Sequence, residues 1–136
     1  MSDVAITAGN VVPGSDAQIK YGVAAAAITA GQAVYLSSQP ATYNLADCNS
    51  ATAAVRVCAG VALNSAGTGQ PVAVIYGGTY TAGGTLTAGK IYVLTDTPGG
   101  IALAADLASG WYTSILGWAT STTVLNVSIS NTGVAN

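Results

Sequence analysis

The chain contains no glutamate, no histidine and no phenylalanine, and of its 136 residues only 3 are basic and 5 acidic. Each scarcity closes off a class of function. Without histidine none of the many serines has an imidazole to activate it. The remaining carboxylates, Asp3, Asp16, Asp47, Asp96 and Asp106, are not spaced as an acid–base pair. The expectation is therefore a protein that is not an enzyme and uses no cofactor. Two cysteines ten residues apart, Cys48 and Cys58, do not make a tetrahedral metal set without histidine, so no metal is expected. The cations Lys20, Arg56 and Lys90 are dispersed and the pI is about 4.3, which leaves no basic stripe for phosphates and argues against nucleic acid as a partner. The most apolar run, Val23 to Leu36, is broken by Thr29, Gly31 and Gln32 and falls short of the roughly 20 residues that a spanning helix needs. No membrane span is expected. The start, Met1-Ser2-Asp3-Val4, has neither a basic region nor a continuous apolar stretch, so no secretory signal is read and the protein is expected to act or assemble where it is made.

What is present is small and apolar. Apolar residues make up 51% of the chain and charged ones 6%, against about 25% charged in ordinary soluble domains. The surface must then be built largely from Thr, Ser, Ala, Gly and Asn, and a net charge of -2 gives little repulsion between copies. A surface of that kind is suited to being packed against other protein. A homotrimer is expected, because cyclic symmetry closes apolar patches that a monomer of this size does not normally leave open.

An internal duplication organises the sequence. At an offset of 58, Ile28 to Ala46 lies on Leu86 to Ala104: Thr29-Ala30-Gly31 matches Thr87-Ala88-Gly89, and Leu36, Pro40, Leu45 and Ala46 match Leu94, Pro98, Leu103 and Ala104. The offset then becomes 57, placing Gly60-Val61-Ala62 on Gly117-Trp118-Ala119. β-Branched and tyrosine residues in alternating runs, punctuated by Gly and Pro, predict an all-β sandwich or barrel. Strands are expected at 33–37, 55–63, 71–77, 90–95, 111–119 and 123–129, with a further short strand after each Pro-containing turn. The repeats cover about 28–77 and 86–129, inside a β domain of residues 21–136, and residues 1–20 form an extended N-terminal arm set off by Pro13-Gly14. Its aliphatic residues Val4, Ile6, Val11, Val12 and Ile19 are too scattered to build a core. They are expected to gain order by contact with a neighbouring protomer or an assembled shell.

Several motifs resolve into structure instead of chemistry. Gly84 to Lys90 has the spacing of a phosphate loop, but Ile91 stands where Ser or Thr would hold magnesium, and a strand follows instead of a helix. A β-turn with a solvated lysine is expected. Asp47, Asp96 and Asp106 read as turn residues that bond nearby backbone N–H groups. Cys48 and Cys58 allow a bridge within the chain, two reduced buried thiols, or links between chains. Their counterparts Asp106 and Ile115 show that a disulfide would be an addition to the fold and not its framework. Trp111 and Trp118 fall on opposite faces of one strand, and Trp111 is taken as a contact residue.

Leu86-Thr87-Ala88-Gly89-Lys90-Ile91-Tyr92-Val93-Leu94, then Thr97-Pro98-Gly99-Gly100-Ile101, Leu116-Gly117-Trp118-Ala119 and Thr122-Thr123-Val124-Leu125, together with Cys58 to Leu63 and Gly69 to Val74, resemble the small β-rich decoration (cement) and head-fibre proteins of tailed bacteriophages. The resemblance spans residues 28–129. It implies a structural virion protein, made in the host cytoplasm, that binds the outside of an icosahedral capsid with the major capsid protein as its partner and stabilises the shell by bridging subunits. The alternative is a tail-fibre or receptor-binding module that recognises a cell-surface glycan through aromatics such as Tyr76, Tyr80, Trp111 and Tyr112.

Overall fold

A computed structural model describes residues 3–136. The chain forms ten β-strands: β1 (Val12–Pro13), β2 (Gln18–Ala24), β3 (Ala33–Ser38), β4 (Thr42–Leu45), β5 (Gly60–Ala62), β6 (Pro71–Thr81), β7 (Ile91–Leu94), β8 (Ile101–Leu103), β9 (Tyr112–Ala119) and β10 (Val124–Ala135). Among the described residues helix is confined to three single 3-10 turns, so the protein is all-β.

The strand order β4-β3-β5-β6 is repeated in mirror sequence as β10-β9-β7-β8, with β6 and β10 paired antiparallel at the centre. Register follows the duplication residue by residue. Val34 opposes Leu45 and Leu36 opposes Tyr43 in the first unit, while Tyr92 opposes Leu103 and Leu94 opposes Ile101 in the second. Ala33 opposes Val61, and Ile91 opposes Trp118. The Thr-Ala-Gly turns match down to their bonds. Gly31 N–H donates to Ala62 O and Gly89 N–H to Ala119 O, and both glycines take the left-handed conformation at φ of 94° and 80°.

Each unit begins one strand earlier than the sequence boundaries suggested. β2 opens the first unit, and the second half of β6 opens the second, since β6 is an 11-residue strand shared by both and bent at Gly77-Gly78. In the first unit β2 pairs antiparallel with β6 and parallel with β4, so β2, β4, β3, β5 and β6 close a small barrel. Ala24, Ile28, Val34, Tyr43, Ala62 and Val74 fill it. Their counterparts Ala82, Leu86, Tyr92, Ile101, Ala119 and Leu125 line the second unit. The bulky tyrosine comes from β4 in one unit and β7 in the other, a volume-conserving exchange of the sort that cores tolerate.

The second unit is closed differently. Instead of a pairing between β6 and β8, the N-terminal segment fills the gap: Val4 N–H donates to Ile101 O, as Ala25 N–H donates to Tyr43 O in the first unit, and β1 pairs with the end of β6. Ile6 and Val11 pack over Gly31 and Gly83, where any side chain would displace them. The arm is thus extended but is held by its own chain, and its expected end at residue 20 falls inside β2. The missed alternation Ile19, Tyr21, Val23 marks that strand.

A second departure concerns 55–63. Only Gly60–Ala62 is strand: Ala53–Arg56 turns as a 3-10 helix beside β3, and the stretch up to Cys58 is bonded to the second unit. There Ser114 Oγ donates to Arg56 O at 2.6 Å, the Arg56 guanidinium stacks 3.6 Å above the Tyr112 ring, and Asn131 grips Cys58 by both its N–H and its carbonyl. β10 in turn runs to Ala135, well beyond the expected 129, with a bulge that includes Gly133 (φ 67°).

Candidate interaction surface

The two faces of the first unit's sheet have different partners. Val34, Ala62 and Val74 point into the barrel, while Ala33, Val61 and Ile75 point out and are fully buried against the second unit. The outward row is a direct cross-strand line, Ala33–Val61–Ile75–Ile19. The equivalent line on the second unit is Ile91–Trp118–Asn126–Thr79. Here Ile91 is 47% and Trp118 45% exposed. Val124, Thr81 and Val12 form the next outward row, and Val12 is exposed. No charged side chain stands in either row.

The residues singled out from sequence are distributed around this face. Val11 is buried, Val4, Ile6 and Ile19 are partly buried, and only Val12 of the arm's aliphatic residues is exposed. Trp111 packs on the core, with its N–H given to Ala108 O and its carbonyl taken by Asn136. The more exposed tryptophan is Trp118, while Trp111, taken from sequence as a contact residue, is partly buried against the core. Alternation along the strand pointed to one tryptophan on each face, but the register of β9 shifts between Ile115 and Gly117 and Trp111 precedes it, so the simple alternation does not hold between them. The aromatics suggested for a glycan site are not gathered on one surface: Tyr80 is buried, Arg56 covers Tyr112, and Tyr76 is exposed beneath Lys20.

Cys48 and Cys58 are free, buried thiols in the shared core. Burial, with Asp47 and Asp96 nearby, pushes the Cys48 thiol up to about 12. Burial likewise pushes Cys58 up to about 12, outweighing backbone hydrogen bonds at Gly60 and Val34 that act the other way; its Sγ donates to Gly60 O. Both are uncharged at neutral pH and are poor nucleophiles. Tyr80 lies beside them, its hydroxyl buried with no hydrogen-bond partner among the described residues and its ionisation pushed upward by burial and then by Cys58.

A groove of about 520 Å³ runs between the arm and the loop after β6, lined by Asn10, Val12, Thr81, Gly84, Thr85 and Thr123 among others. It offers hydroxyls and backbone but no titratable group. Lys90 is exposed at a turn closed by its N–H to Thr87 O and followed by β7, as the phosphate-loop lookalike predicted. Asp47 Oδ1 accepts Asn49 N–H, while in the second unit Thr95 Oγ1 makes the turn bond expected of Asp96. Among the described residues no three Asp, Glu, His or Cys side chains gather as a metal site, and no helix is long and apolar enough to cross a membrane. No family model and no curated protein matches this sequence.

Proposed function

We propose that this chain is a structural virion protein that binds the outer surface of an icosahedral phage capsid, as a homotrimer, and stabilises the shell by bridging neighbouring subunits of the major capsid protein. The observation that carries the reading is the balance of the surface. Nine large apolar side chains are exposed among the described residues, including Val12, Ile91, Trp118 and Val134, whereas the whole chain has 8 charged residues. Such a surface favours burial against protein. Individually modest contacts add up when an oligomer engages several capsid subunits at once, because each further contact forms at high effective concentration.

Stripping the protein from particles tests this reading. Particles without it are expected to lose resistance to heat and low salt and to regain it when the protein is added back. Stripped particles that survive unchanged would contradict the bridging role. Binding to cells or to immobilised glycan, without binding to particles, would instead favour the receptor-binding alternative.

A further inference from the structure

We infer that the outer face of the second unit, centred on the cross-strand pair Ile91–Trp118, is the surface on which a second copy of this chain packs. The inference rests on the reading that the protein self-associates and names where.

The argument comes from the duplication. The fold already uses this face once as a protein interface: in the first unit the row Ala33–Val61–Ile75 has no solvent exposure, because the second unit lies against it. Ile91, Trp118 and Asn126 occupy the same three positions by register. Among the described residues nothing buries Ile91 or Trp118, and Asn126 is only partly buried. The two side chains that open the row are large and apolar, and they are nearly half exposed while facing each other across neighbouring strands. Thr79, Thr81 and Asn126, the polar groups among them, are uncharged and can be buried with hydrogen-bond partners at little cost. The rows themselves carry no charged side chain, and the Asp16 carboxylate beside Thr79 is already engaged by the Thr79 N–H and hydroxyl. What the face matches is the chain's own charge-poor surface.

Strand edges do not compete as the contact. β1 carries Pro13, which lacks the N–H that an added strand would need. The far end of β10 is bulged and ties up its own groups, with Asn131 on Cys58 and Thr132 Oγ1 accepting Val134 N–H. Blunted edges of this kind prevent strand addition, leaving face-to-face packing.

Sedimentation of the purified full chain across a wide concentration range tests the inference, with Trp118→Lys, Ile91→Lys and, as a control on the first unit, Tyr21→Lys. Both target side chains are half exposed, so circular dichroism should show the native fold in all variants. The wild type is expected to associate, with either row variant weakening association at least about tenfold, as removing an interface hot spot does, and Tyr21→Lys leaving it unchanged. A wild type that stays monomeric, row variants that associate like wild type, or a control that weakens it equally would each overturn the inference. Particle binding, measured separately, keeps the two readings apart: self-association through this face without particle binding removes the proposed function and leaves this inference, whereas particle binding by a monomer removes this inference and the trimeric state and leaves capsid binding.

Discussion

Tyr80 illustrates how much of this core is decided by single atoms. Its ring is fully buried between the two units, yet its hydroxyl has no hydrogen-bond partner among the described residues. A buried unsatisfied hydroxyl costs about 1–3 kcal/mol, so Tyr80→Phe should leave stability unchanged or raise it by roughly 1 kcal/mol. Denaturant unfolding checks this, and a loss of comparable size would mean that the hydroxyl is bonded. The thiols make a second prediction. Their folded ionisation lies at about 12, above the usual value of 9.0. As pH rises past 9 the unfolded thiols give up protons that the folded ones keep. Stability is then whole below about 9 and falls progressively toward 12. Thermal melts at stepped pH should show that decline, and a Cys48→Ala, Cys58→Ala double variant should lessen it. In the native protein a thiol reagent should react slowly, and in denaturant it should titrate both cysteines. Rapid native labelling would contradict their burial.

At the scale of elements, the N-terminal segment is a structural part of the second unit. Val4, Ile6 and Val11 occupy the opening that β2 closes in the first unit. At about 1.5–3 kcal/mol for each fully buried aliphatic side chain, their removal should cost several kcal/mol. Deleting residues 3–13 is therefore expected to lower the melting temperature sharply, or to prevent folding, where a free arm would be lost without effect. Gly31→Ala should act in the same direction, since a Cβ there meets Ile6 and the φ of 94° disfavours any side chain. The duplication and most strands were legible because buried residues recur at fixed offsets, as in Ile28 with Leu86 and Val34 with Tyr92. The role of the arm was not, because the same aliphatic spacing suits docking on oneself or on a neighbour. The same limit applies to the candidate surface. Sequence alternation could not place Trp111 and Trp118, because the register of β9 shifts between Ile115 and Gly117 and Trp111 precedes the strand; only the packing of one unit on the other showed which face is left open.

For the whole molecule, two homologous units share one strand and one core, and the outer face that the first unit spends on the second is left uncovered on the second. The all-β body exposes more large apolar side chains among its described residues than the chain has charges, a surface that gains from being covered. On the proposed reading the cover is other copies and a capsid. The copy number of the protein on purified particles, measured against the major capsid protein on a stained gel, tests that claim most directly. The account predicts an abundance approaching that of the capsid protein, as a bridging element repeated over the shell requires. A protein present in only a few tens of copies per particle, as a fibre would be, or absent from particles altogether, would contradict it.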